Sequence, residues 1–206
     1  DLYLAEVTGV KFSPRVSLPP ASKPMDAGAG WALDQIFAFP YLYGENFVYR
    51  LYSKGGWEEV NRAYRRPPSS STQILHPEQY MEGFEPTLLS NPKPVRDGWT
   101  VYYPERLGEH FIRTLLIQEL PPSVVVDASS GWIGDNATLY LNHNTYLLFW
   151  RSIWQNEDSA FAFEKALLAF FKERGGLEMN GLYWNFGGRL IAVKHVGNHI
   201  TLIGSS

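Results

Sequence analysis

His76, Glu78, Glu82 and Glu85 place one imidazole and three carboxylates in a short polar stretch, the donor types that hold a divalent cation when a loop gathers them. His195 and His199 stand four apart, which on a helix would set two rings on one face, as in H-E-x-x-H zinc sites. Between them, however, lies Gly197-Asn198, a two-residue hairpin signal, and in that register the two rings point to opposite faces of a sheet. Glu109-His110 falls on a helical pattern, where adjacent residues diverge by about 100° and do not readily share an ion, so the pair reads as a solvated edge. Asp127 and Asp135 could serve as the paired carboxylates of a hydrolase, but each reads more simply as a turn residue. Ser69-Ser70-Ser71 follows two prolines and sits in no G-x-S-x-G elbow, and no glycine loop suited to phosphate occurs. With no cysteine in the chain there is neither thiolate nor disulfide. The expectation is a chain without catalytic residues, metal ligands or cofactor.

Such residues need elements to hold them, and 206 residues can bury a substantial core. Seven Trp, 12 Tyr and 12 Phe supply large buried areas and, wherever rings remain outside, adhesive surface. A net charge of -3 with scattered Lys and Arg gives no footprint for nucleic acid or an anionic membrane, and no apolar run reaches the ~18 residues of a spanning helix. The sequence opens at Asp1 without methionine, so an extracytoplasmic protein that has lost an N-terminal segment is expected.

The prolines at 14, 19, 20 and 24 predict an extended lead-in over 1–30. From Trp31 apolar residues recur at helical steps up to Gly55-Gly56, and a short helix over 57–64 stops before Pro67-Pro68. A short helix over 77–81, a strand over 99–103 and an amphipathic helix over 105–120 follow, the last burying Leu107, Phe111 and Leu115, with Ile112 and Leu116 beside them. Strands are expected over 124–126, 137–141 and 145–154, then a helix over 157–174 capped by Asn156 and stopped by Gly175. Strands over 177–186, 189–196 and 199–203 form a three-stranded meander, with one face collecting Leu182, Trp184, Ile191, Val193, Ile200 and Leu202. The fold class is therefore α+β, in three segments: the lead-in, a mainly helical part over 31–122, and over 123–206 an antiparallel sheet packed on one long helix.

The stretch Pro40-Tyr41-x-x-Gly44-x-x-Phe47-Val48, Gly55-Gly56-Trp57-x-x-Val60-Asn61-x-Ala63-Tyr64, Pro67-Pro68 and Gln73-Ile74-Leu75-His76-Pro77-Glu78-x-Tyr80 resembles a family of uncharacterised bacterial and archaeal proteins, many of them labelled zinc metallopeptidases. Leu107-Gly108-Glu109 and Gly131-Trp132-Ile133-Gly134-Asp135 resemble later segments of that family. The resemblance implies a functional loop around Gln73, His76, Glu78 and Tyr80. The family's label rests on an upstream H-E-x-x-H helix that this sequence does not contain, so a scaffold is carried over and an activity is not.

The order of strand, helix and meander over 145–203 is similar to that of cystatins, whose hairpin loops wedge into protease clefts. Here the matching hairpin reads Trp184-Asn185-Phe186-Gly187-Gly188, and Trp184, Phe186, Gly187 and Gly188 are the expected partner-binding residues. The functional expectation is a non-catalytic protein- or peptide-binding protein, in a narrower version a cystatin-like inhibitor of cysteine proteases. The alternative is an accessory part of a metallopeptidase-like hydrolase, with His76, Glu78 and Glu82 as remnants of its site.

Overall fold

The computed structural model describes residues 2–9, 29–90, 98–180 and 183–205. They divide into two compact units, Asp1–Glu85 and Pro86–Ser206. The chain is α+β, with helices alone among the described residues of the first unit and an antiparallel sheet with helices in the second. The division falls ahead of the expected 122/123, because 98–120 supplies an edge strand and a helix to the sheet unit.

The first unit holds α1 (Leu2–Thr8), α2 (Ala29–Arg65), α3 (Ser71–Leu75) and α4 (Pro77–Met81). Residues 2–8, expected to be extended, are helical: no proline or glycine interrupts them before Gly9. Residues 29–30 already belong to α2, and 10–28 lie outside the described residues. The helix α2 bends at Gly55 and Gly56, and Gly56, at φ 63° and ψ -153°, takes a backbone that glycine adopts freely. The elbow lets Val60 of the second arm join Phe47 and Leu51 of the first, and Tyr80 from α4 completes the cluster. Trp57 closes the elbow by meeting the Tyr52 ring edge-on at 5.2 Å and donating its Nε1–H to Glu6 at 2.6 Å.

The second unit runs β1 (Thr100–Glu105), α5 (Gly108–Leu116), α6 (Pro122–Ser129), β2 (Trp132–Asn142), β3 (Thr145–Trp154), α7 (Glu157–Glu173), β4 (Leu177–Met179), β5 (Tyr183–Phe186), β6 (Arg189–Val196) and β7 (His199–Ser205). The strands form one seven-stranded sheet in the order β1-β2-β3-β7-β6-β5-β4, antiparallel at every step. The predicted pairings Phe186 with Arg189 and Val196 with His199 are both present.

Three expectations fail for identifiable reasons. Residues 124–126 are helical, because Pro122 at the first helical position is already set for a helix and Val125, Ala128 and Ser129 are buried at helical spacing. The meander has four strands, since 177–186 folds into the hairpin of β4 and β5, with Asn180 at φ 56° leading its turn; Leu182 lies outside the described residues. In α5 the buried residues are Gly108, Glu109, His110, Ile112, Thr114 and Leu116, so His110, expected with Glu109 at a solvated edge, is buried, while Leu107, Phe111 and Leu115 are half-buried.

The helix α7 buries Phe163, Leu167, Phe170 and Phe171 against the sheet. Phe163 stacks on Trp154 at 4.5 Å and meets Trp150 edge-on at 5.8 Å. Asn156 Oδ1 accepts from Ser159 N at 2.8 Å, capping the helix as expected. Replacing Asn156 with alanine should cost about 1 kcal/mol, because an early N–H loses its acceptor. Thermal unfolding checks this, and an unchanged midpoint would show that water caps the helix equally well.

Candidate functional site

The four residues that a loop could gather round a cation, His76, Glu78, Glu82 and Glu85, are not brought together. Glu85 accepts from Arg66 Nη2 at 2.8 Å and Ser69 Oγ at 2.9 Å, Glu82 is exposed, and His76 Nδ1 lies 3.8 Å from Glu78. Among the described residues no three His, Asp or Glu side chains gather as a metal group would require. The motif residues instead form a clasp: buried Gln73 accepts from Ser69 and Ser70 backbone N–H groups and donates to the Phe84 carbonyl. Tyr80 donates to the Arg66 carbonyl at 2.7 Å and sets its ring edge-on to Phe47 at 5.2 Å.

The two later motifs meet in a buried knot. Asp135 lies within β2, not in a turn, and accepts from Trp150 Nε1 at 2.9 Å and from Gly108 N at 3.2 Å. Burial pushes its carboxyl up to about 6 despite those donors, the Leu107 backbone N–H and Arg106 nearby, all of which favour the anion. Glu109, expected at a solvated edge, is fully buried and paired with Arg113 Nη2 at 2.6 Å, and Arg113 Nε donates to Ser129 Oγ at 3.1 Å. Gly131 and Gly134 admit close neighbours: a Cβ at either would stand 2.4 Å from a Ser159 side-chain atom or the Thr87 carbonyl oxygen respectively. Asp127 is exposed on α6, so it and Asp135 do not form a catalytic pair. With Asp135 and Glu109 both enclosed, the knot offers a substrate no approach and reads as scaffold.

The register that directs Trp150 to α7 directs its neighbours to the opposite face. His195 lies on the α7 side, with Nδ1 2.8 Å from Glu164, while His199 lies on the other side, as the hairpin register predicts. On that face Arg151 pairs with Thr201 and Thr201 with Lys194, which makes a cationic row across β3, β7 and β6. The row on one side is Ile153, His199 and Val196. On the other side are Phe149, Ile203, Ala192, Tyr183 and Met179, then Leu147, Ser205, Leu190, Asn185 and Leu177.

Around the cationic row lies an open cleft of about 500 Å³, lined by Arg151, Lys194, His199, Thr201, Phe149, Val196 and Ser90. Arg151 Nη1 donates to the Ser90 carbonyl at 3.1 Å, which leaves its other donors for a ligand. Among the described lining residues there is no carboxylate, and Lys194 makes no ion pair among the described residues. His199 Nδ1 is buried without a hydrogen-bond partner. The two rows nearest β4 leave Leu177, Met179, Tyr183 and Leu190 exposed at 42–70%.

The predicted hairpin anchors are placed otherwise. Trp184 is buried, 5.6 Å from the Phe171 ring, and half-buried Phe186 meets Phe171 edge-on at 5.6 Å. Alternation along β5 turns both rings towards α7, so only Gly187 and Gly188, with φ of 60° and 96°, occupy the exposed tip.

Residues 93–205 match a family described as a domain of unknown function, DUF8575. The chain belongs to the DUF8575 family. The DUF8575 match covers β1 through β7 with α5, α6 and α7, so it contains the knot and every cleft residue except Ser90. The helical unit, with the clasp of Gln73 and Tyr80 and with His76 and Glu78, lies outside the match. Among curated proteins nothing matches, and among solved structures nothing matches.

The cleft and its apolar surroundings escaped sequence reasoning in unequal measure. Lys194 beside Thr201 follows from the Gly197-Asn198 turn by counting back along two strands. Arg151 joins them only through the pairing of β3 with β7, strands separated by a helix and three other strands, for which no local signal exists.

Proposed function

We propose that this chain is a non-catalytic protein- or peptide-binding protein whose ligand lies on the face of the sheet opposite α7. The observation that carries the reading is the exposed set Leu177, Met179, Tyr183 and Leu190, which share adjoining rows on that face. Contiguous exposed apolar surface of this kind marks interaction sites far more often than free surface. The edges of the sheet suit strand addition less well: β1 carries Pro104 and a register slip between Val101 and Tyr103, and β4 is only three residues long. Face-on binding is thus favoured over augmentation. Among the described residues no helix is long and apolar enough to cross a membrane.

The test is a random-peptide display selection on the full chain, with a Leu190→Asp variant as counter-target. The charge would sit among apolar neighbours at a position 42% exposed, so folding should survive while binding falls at least tenfold. Circular dichroism checks the first expectation and fluorescence anisotropy the second. Peptides that bind both proteins equally, or a selection that yields none, would refute the reading.

A further inference from the structure

We infer that the segment received on this face is acidic, and that the row Arg151, Thr201 and Lys194 takes one of its carboxylates. This rests on the open-face reading above and adds to it the chemistry of the ligand. Strands stand about 4.8 Å apart, so Arg151 and Lys194 are separated at Cα by about 10 Å with Thr201 between them. A carboxylate over Thr201 lies within reach of the guanidinium fork on one side and the ammonium on the other, and the hydroxyl supplies a third donor from below.

Charge complementarity selects the occupant. The described residues lining the cleft bring two permanent cations and no carboxylate, in a chain whose net charge is -3. Among the described residues lining the cleft the two permanent cations share that single row, flanked on one side by Ile153, His199 and Val196 and on the other by Phe149, Ile203 and Ala192, whereas a nucleic-acid backbone needs a basic stripe along its path. Along β6 the distance from Lys194 to Leu190 is about 14 Å, the length of about four extended residues. The geometry therefore specifies a segment with Asp or Glu four or five residues from a pair of apolar side chains, which would lie on Leu190, Tyr183 and Met179.

The same selection tests this by sequence and by affinity. Selected peptides should be enriched in that spacing, lose affinity as salt rises, and bind an Arg151→Gln/Lys194→Gln double variant at least tenfold more weakly. Their amide versions, with Asn or Gln for the acid, should be weakened to the same degree on the unaltered chain and show no further loss on the double variant. Lys194→Gln alone, at an exposed position, should give about a threefold loss and guards against a folding defect in the double variant. Binders without acidic enrichment, or with affinities unmoved by the double substitution, overturn the carboxylate. If those binders still fail on Leu190→Asp, the open-face reading stands alone. A selection that yields no binder overturns both. Self-association of the chain that Leu190→Asp abolishes would make a second copy the occupant and overturn the inference as well.

Discussion

Replacing Glu109 with alanine is expected to lower the free energy of unfolding by about 3–5 kcal/mol, the largest effect of any single exchange considered for this chain. The carboxylate has no solvent exposure, and Arg113, its partner at 2.6 Å, retains only 16%. Removing the carboxylate leaves the guanidinium enclosed with a serine hydroxyl as its remaining neutral partner, and a buried charge without a counter-ion is far more costly than the pair. The pair itself need not stabilise the fold relative to apolar residues, because the desolvation of both ions offsets much of their attraction. A Glu109→Leu/Arg113→Met double variant should consequently recover most of the loss. Urea unfolding followed by far-ultraviolet circular dichroism separates the cases. A cost below about 1 kcal/mol for Glu109→Ala would mean that water reaches the pair and that its enclosure is misjudged.

The second large effect is on pH dependence. Burial raises the Asp135 carboxyl from 3.8 to about 6, so between those values the folded state holds a proton that the unfolded state has released. By linkage, this contribution to stability is fully present below 3.8, declines as pH rises through the interval and is lost above about 6. A rise of two units corresponds to roughly 3 kcal/mol. Other carboxylates titrate in the same range, so the quantity to measure is the difference between the unaltered chain and Asp135→Asn, which cannot ionise. That difference should move against the unaltered chain by roughly 2–3 kcal/mol between pH 4 and pH 6.5. A difference independent of pH would show that the Trp150, Gly108 and Leu107 donors cancel the effect of burial and leave the carboxyl with its unfolded-state affinity for the proton.

Local signals carried much of the fold. Asn156, Gly175 and the phenylalanine stripe defined α7, and Gly187-Gly188 with Gly197-Asn198 defined two hairpins and their registers. Pattern reading failed where two meanings share one composition. Val124, Val125 and Val126 suit a strand by branching, but two prolines ahead of them open a helix, and the burial of Ala128 and Ser129 decides between the two. Glu109 looked solvated because polarity was taken for exposure, although Arg113, one helical turn on, was a visible partner. Asp135 reads as a turn residue because aspartate commonly forms turns, whereas it lies in β2, and the glycine before it serves the close passage of the Thr87 carbonyl. For the candidate site, the same alternation that puts Trp184 on the core face of the meander turns Phe186 towards α7 as well, so the tip of the hairpin carries neither ring.

The place of β7 in the strand order constrains how the sheet unit can be made. It is the central strand, joining the β1-β2-β3 half to the β6-β5-β4 half, and it is the last of the seven in sequence. During synthesis the two halves emerge in turn, each with an inner edge of unpaired backbone, and neither can meet the other until residues 199–205 have left the ribosome. The sheet must therefore close after translation of its final strand, with the long-range pairing of β3 to β7 as the late, slow step. Until then the inner edges of β3 and β6 stay unpaired, and a chain truncated before His199 would leave two half-sheets without a seam.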